Sequence, residues 1–308
     1  MPDDLAELLS GHAGRLRELD PLVGATEDAP PGADVLAAGR SRGWPLVVDL
    51  DPADQRAVWS RLRTYALTLR WTGDVRELDE LLTRWAEWMR KAGSEQAGPD
   101  SQTSVTWPSR DVDAARVFYA HGMMPSTTIA IRPRGRAVSA ARPPSGVTIR
   151  PATAADTDAV LALAAEEFRY DQGLSTAGER PGHEGLRRQE MAGRLGASAA
   201  WAWLAERDGV PVGVLAADRP EDALWVGPMT SSGPAAYVSL LSVEPGSRGG
   251  GIGAALAAAA RRTFDDAACS ASLLHYSTFN PLSAPFWARN GYRPLWTVWA
   301  TEPASAQR

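Results

Sequence analysis

The stretch from Val243 to Leu256, Val-Glu-Pro-Gly-Ser-Arg-Gly-Gly-Gly-Ile-Gly-Ala-Ala-Leu, holds the most ordered set of chemistry-bearing residues in this 308-residue chain. Arg248, Gly249, Gly250, Gly251, Ile252, Gly253 and Ala254 lead from an apolar run, Tyr237 to Val243, into an alanine-rich helical pattern, Ala254 to Phe264. The first turn of a helix leaves backbone N–H groups unpaired, and the aligned peptide dipoles make that end positive. Glycines let the backbone approach an anion closely and adopt positive φ, and Arg248 adds a full positive charge. The arrangement suits a pyrophosphate and accounts for the ordered glycines better than a flexible surface loop does. Gly249, Gly251 and Ala254 also fit GxGxxA, a weak dinucleotide fingerprint. An antiparallel hairpin precedes the loop, however, and the next strand ends in Tyr276-Ser277 with no carboxylate. No Lys-Ser/Thr pair follows the glycines, so the loop is not a P-loop.

The elements that must position this loop follow from the pattern. Val147 opens a strand, and Thr153 or Asp156 caps a helix through Leu161 and Leu163. Two alternating runs, Ala200 to Glu206 and Val210 to Ala217, flank Asp208-Gly209, a strong hairpin signal. After the glycine loop and its helix come a strand at Ser272–Ser277, a helix at Ser283–Arg289 and a strand at Leu295–Ala300. In the first half, Pro45–Leu50 reads as a strand and Asp54–Leu69 as a helix. Asp74–Lys91 is a firmer helix, with Asp74 as cap and Val75, Leu78, Leu81, Leu82, Trp85 and Met89 on one face. A strand at Ser104–Trp107, a helix at Asp111–His121 and a strand at Ser126–Arg132 follow. Asp111–Ile131 lies on Asn280–Ala300 without a gap, pairing Ala115 with Ala284, Gly122 with Gly291, Pro125 with Pro294 and Thr128 with Thr297. That suggests an internal repeat. The Pro-, Gly-, Ser- and Arg-rich stretch 133–146 reads as a linker between domains at 1–132 and 147–308.

Composition limits the function classes. Apolar residues make up 44% and charged residues 22%, with a net charge of -5, so nothing calls for nucleic acid or an anionic membrane as partner. Cys269 is the single cysteine, which excludes an intrachain disulfide and a cysteine zinc site, and no metal is expected. The N-terminus has no signal-peptide pattern and no run reaches membrane-spanning length, so a cytoplasmic protein is expected.

Arg248-x-x-Gly251-x-Gly253, placed after a strand and before a helix, resembles the CoA-pyrophosphate motif of the GNAT acetyltransferases. Arg150-Pro-Ala-Thr-x-x-Asp156 resembles that family's common opening, and Asn280, Ala284 and Gly291-Tyr292 resemble the series around its last helix. The resemblance covers about 150–300. It implies an α/β fold of the α+β type, with a mixed, mostly antiparallel sheet flanked by helices. The whole chain would be a tandem GNAT-like arrangement whose first half is degenerate. At the loop position expected there, Asp51-Pro-Ala-Asp-Gln-Arg lacks glycine and carries two carboxylates that would repel pyrophosphate.

The resemblance further implies an acetyl-CoA-dependent N-acetyltransferase. Acetyl-CoA would be the acyl donor and a primary amine of a small molecule or peptide the acceptor, in a monomer or homodimer. The pyrophosphate would lie on the amides of Arg248 to Ala254, and the pantetheine arm beside Leu241, Ser242 and Val243, with Asn280, Ser283 and Trp287 as further contacts. A backbone N–H on that strand would polarise the thioester. Trp287 stands where the family usually has a tyrosine that protonates the thiolate; Tyr276 and Tyr292 are the substitutes. Tyr237 occupies the position of a frequent family base, and the intrinsic pKa of a histidine such as His275 lies near neutrality. Glu166, Glu167 and Asp171 read as a solvated helix end. Trp201, Trp203, Trp225, Trp296 and Trp299 are core residues by default or walls of an aromatic acceptor pocket, and 169–196 is a candidate acceptor lid. The competing reading is a catalytically weak acyl-CoA-binding sensor or scaffold. A dinucleotide-dependent enzyme is a weaker third.

Overall fold

The computed structural model describes residues 2–25, 28, 34–139, 141–172, 180–196 and 201–307. Its contacts divide the chain into two compact units. The first comprises Met1–Ile129, Pro228–Ser231 and Pro294–Arg308; the second comprises Ala130–Gly227 and Ser232–Arg293. The units are therefore not sequential. Part of the stretch expected as a linker is also held: the Arg134 N–H donates to the Ser270 carbonyl at 2.8 Å and its guanidinium to the Asp265 carbonyl.

In unit 1, α1 (Pro2–Leu19) buries Leu8, Leu9, Ala13 and Leu16. Then come β1 (Leu36–Ala38), β2 (Ser41–Asp49) and β3 (Arg63–Arg70), consecutive antiparallel neighbours. The helix expected at Asp54–Leu69 is instead a short 3-10 turn, Gln55–Val58, followed by β3. Tyr65, Leu67 and Leu69 are buried at every second position, the period of a strand rather than a helix. Helix α2 (Val75–Lys91) begins after Asp74, whose carboxylate accepts the Arg76 N–H. It buries Leu78, Leu81, Leu82, Trp85 and Met89, while Val75 is exposed because it lies in the first turn, outside the buried stripe. Strand β4 (Ser101–Pro108) runs parallel to β3, and α3 (Val112–Ala120) leads to β5 (Met124–Pro133).

Unit 2 opens with β6 (Val147–Pro151) and a capping box of Thr153 with Asp156 ahead of α4 (Thr157–Gln172). Helix α5 (His183–Gly196) precedes a hairpin of β7 (Trp201–Arg207) and β8 (Val210–Asp218). Its turn residues Asp208 and Gly209 both have positive φ, as this two-residue turn requires. Strand β9 (Ala235–Val243) is antiparallel to β8, α6 (Ile252–Asp266) crosses over, and β10 (Ala271–Ser277) returns parallel to β9. The short α7 (Ser283–Arg289) ends at Gly291 and leads to β11 (Arg293–Ala300). Residues 294–300 of β11 belong to unit 1, where Trp296–Trp299 pair antiparallel with Val105–Pro108 of β4.

Two apolar clusters cover the two faces of the unit 2 sheet. One gathers Val160, Leu163, Ala164 and Leu195 from α4 and α5 with Leu204, Val214, Ala216 and Leu240. The other gathers Ile252, Leu256, Ala260 and Phe264 from α6 and Trp287 from α7 with Leu215, Ala236 and Val238. Both units are thus mixed α/β structures with mostly antiparallel sheets flanked by helices.

Candidate active site

Three devices in unit 2 meet around the β9–α6 junction. The first is the loop itself. Pro245–Ser247 form a 3-10 turn, Gly249 and Gly251 take φ of 79° and 90°, and Gly251 caps α6 with no side-chain partner. L-residues rarely adopt such φ, so these two positions call for glycine. Ala255 is the first helix residue whose N–H finds a carbonyl, that of Gly251. From Gly249 to Ala254, no N–H meets a backbone acceptor among the described residues. Gly253 serves packing instead: a Cβ there would come within 3.3 Å of the Phe286 ring. Arg248 is exposed. Its Nε donates to the Val243 carbonyl at 2.9 Å and its guanidinium lies 5.7 Å from the Tyr170 ring centroid. Unpaired N–H groups, a helix N-terminus and a guanidinium form a cradle that fits a pyrophosphate.

The second device is a split between two parallel strands. The β9–β10 ladder holds from Ala235↔Ala271 to Val238↔Leu274 and then stops, while β9 keeps its β8 partners to Val243. Among the described residues, the β9 backbone from Leu240 to Val243 therefore has an edge without a strand partner, and such groups seek one. A register shift in β8–β9 leaves Ser239 unpaired, so Val238 faces the α6 cluster and Leu240 the α4 cluster. This bulge re-aims the side chains beyond it. Leu241 and Val243 pack toward α6, and the Ser242 hydroxyl donates to the Leu163 carbonyl of α4 at 2.7 Å.

The third device is a titratable cluster on the α4 face. Tyr237 and His275 are hydrogen-bonded through the phenol oxygen and Nδ1, with rings 5.8 Å apart and nearly parallel. Burial and the Asp218 charge push the Tyr237 phenol up, so it keeps its proton. His275 is reached by solvent yet lies in a crowded groove. The crowding lowers its pKa and the nearby Asp171 charge opposes that shift. Asp171 accepts from the Asn280 amide at 2.9 Å and is hydrogen-bonded to Glu167, one helical turn earlier on α4. Burial, then the Asp171 charge and hydrogen bond, raise the Glu167 carboxyl well above its usual range, as happens when two carboxyl groups share a proton.

Two expected site residues lie elsewhere. Tyr292 is buried: its hydroxyl bonds to Ser272 at 2.8 Å, its ring packs edge-on to Trp287, and burial pushes its pKa up to about 12. Trp287 is itself buried in the α6-side cluster between Phe286 and Tyr292. Tyr276 alternates with His275 and packs on the α6 side. The Asn280 side-chain oxygen accepts the N–H groups of Leu282 and Ser283 at the start of α7, while its amide reaches Asp171. Glu167 and Asp171, expected as a solvated helix end, are instead part of the cluster. Their spacing of one turn was the available signal, but the Asn280 partner comes from a distant segment. Of the candidate lid, 173–179 lie outside the described residues. Among the described residues no group of His, Cys, Asp or Glu is arranged to hold a metal ion, and no helix is long and apolar enough to cross a membrane.

Residues 159–292, which contain all three devices, match the model of the acetyltransferase (GNAT) family. This part of the chain is a GNAT acetyltransferase domain. The chain is similar to the crystal structure of a GCN5-related N-acetyltransferase from Sphaerobacter thermophilus, with 16% identity over 85% of this chain and 76% of that one and a TM-score of 0.54. At that identity the likeness is one of fold. A GCN5-related N-acetyltransferase from Kribbella flavida matches 97% of this chain and 95% of its own at 19% identity, with a TM-score of 0.47. A tandem GNAT protein from the clavulanic acid biosynthesis pathway matches over 96% and 95% at 17% identity, also with a TM-score of 0.47. No curated protein matches the sequence.

Proposed function

We propose that unit 2 is an acetyl-CoA-dependent N-acetyltransferase acting on a primary amine of a small molecule or peptide. The observation that carries this reading is the row of unpaired N–H groups from Gly249 to Ala254, set directly after a strand whose edge is open. That row and Arg248 would hold the pyrophosphate of acetyl-CoA, and the open β9 edge would hold the pantetheine arm. Acetyl-CoA supplies the acetyl group as a thioester. An N–H on the Leu241–Val243 edge polarises the thioester carbonyl as charge develops on its oxygen. The cluster of His275, Asp171 and Glu167 takes the proton that the ammonium must lose before it can attack. The new bond is N–C, the broken bond is C–S, and the thiolate leaves as CoASH after gaining a proton. Tyr276, the less buried of the two substitute phenols, is the candidate donor for that proton.

We read unit 1 as a GNAT-like partner half without a donor site. Its order β2–β3–α2–β4–α3–β5 repeats β8–β9–α6–β10–α7–β11, with Gly122 and Gly291 both at positive φ between the last helix and strand. By the strand registers, Ala66 and Thr106 stand where unit 2 has Tyr237 and His275.

Thermal denaturation with and without acetyl-CoA tests the reading, because a ligand of the native state raises its melting temperature. A rise in wild type that Gly251→Glu loses is expected, followed by CoASH release with an amine. No rise at millimolar acetyl-CoA overturns the donor site.

A further inference from the structure

The α4 face of unit 2 carries features that the donor site does not use. Trp225 is 52% exposed although its ring packs edge-on against Tyr237, with centroids 4.8 Å apart. An indole fixed at one edge and open on the rest is a platform, not a core residue. Tyr237 bonds to His275, and His275 feels the charge of Asp171, which bonds to Glu167. A connected path thus runs from an open aromatic ring to a pair of carboxyl groups. Ser277 is a second, independent feature. It shares a face of β10 with His275 by strand alternation, is 9% exposed, and its Oγ is buried with no hydrogen-bond partner among the described residues. A buried hydroxyl without a partner costs stability unless a ligand satisfies it.

The two carboxyl groups and the Ser277 hydroxyl can each accept a hydrogen bond from an ammonium group. A primary ammonium brings three donors and one positive charge. The aromatic end offers area for a flat ring and faces for cation–π attraction. We propose that the acceptor is an arylalkylamine, its ammonium seated among Glu167, Asp171 and Ser277 and its ring on Trp225. This rests on the acetyltransferase reading for turnover, but not for binding. Entry of the ammonium expels the proton shared by the carboxyl pair. The ionised pair then stands ready to take a proton back from the amine as it attacks.

The test is calorimetric binding to the full chain loaded with CoA, so it does not depend on turnover. Phenethylamine is compared with butylamine, which lacks the ring, and with phenethyl alcohol, which lacks the charge. Phenethylamine is expected to bind about tenfold tighter than either. Trp225→Ala should erase the preference over butylamine, and Glu167→Gln combined with Asp171→Asn should erase the preference over phenethyl alcohol. Equal affinity for phenethylamine and butylamine, or a Trp225→Ala loss that falls equally on both amines, overturns the assignment. The acetyl-CoA melting shift reports separately on the donor site. A shift without aromatic preference sinks this inference and leaves the acetyltransferase standing.

Discussion

Helices α2 and α6 occupy the same place in the same strand–helix–strand unit, and their N-termini are finished in opposite ways. Before α2, the Asp74 carboxylate accepts the Arg76 N–H, and Glu77 gathers the Ser41 and Thr72 hydroxyls and the Arg40 N–H. The helix satisfies its own positive end with two acids. Before α6, glycines fill the same position, no side chain caps the helix, and the N–H row is left open beside Arg248. One end is closed by side chains and the other is left open, as the proposed pyrophosphate site requires. A shared fold therefore does not determine whether a donor site exists; a few residues at one helix start do.

The largest effect should come from giving α6 the ending of α2. Gly251→Asp should weaken acetyl-CoA binding by roughly two orders of magnitude or more, since a carboxylate about 4 Å from a phosphate costs several kcal/mol. Gly251→Asn tolerates positive φ without the charge, and in calorimetry it should keep most of the affinity. If Asn loses as much as Asp, backbone strain rather than charge governs the loop.

A smaller effect is expected at Glu167. Its folded pKa is raised above its ordinary value, so the native state holds a proton that the unfolded chain releases. Stability then falls as pH rises from the ordinary glutamate pKa through the raised one, and the full cost is present on the alkaline side. Glu167→Gln removes that cost. Its melting temperature relative to wild type should rise with pH, from little difference near pH 4 to a clear gain above neutrality. A pH-independent difference would show that the carboxyl group is ionised throughout. The smallest effect is Asp74→Ala. Loss of the cap should lower stability by about 1 kcal/mol in denaturant unfolding and leave the acetyl-CoA melting shift unchanged.

Much of this contrast is local, and local features were legible in the sequence. The Asp74 cap, the buried face from Leu78 to Met89, the Asp208-Gly209 turn and the glycine loop all depend on residues within a few positions of one another. The expected loop of the first half falls at Asp51–Arg56, at the start of the helix expected over Asp54–Leu69, a span that includes helix-forming Ala, Leu and Arg. Pairing of Arg63–Arg70 with β2, and of Arg63–Ala66 with β4, overrides that propensity, and the counterpart of the glycine loop is Trp71–Asp74. The acid cluster was hidden for a different reason. Glu167 and Asp171 acquire their chemistry from burial and from Asn280, which no local pattern announces. Tyr292 and Trp287 were drawn toward the site by position in the last helix and its exit, whereas their rings complete the apolar layer under α6.

The placement of β11 has a consequence for how the chain matures. The strand that finishes β4, together with the Thr301 N–H to Thr103 bond and the Arg61–Glu302 ion pair, comes from the last fifteen residues yet belongs to the first unit. During synthesis, therefore, the half made first is completed last. It must wait, with the β4 edge uncovered, until the whole acetyltransferase domain has left the ribosome. Contacts of such long sequence separation are slow to form, and an uncovered strand is a template for wrong pairing. A chain stopped just after Arg293 would lack the strand that pairs with β4 in the first unit.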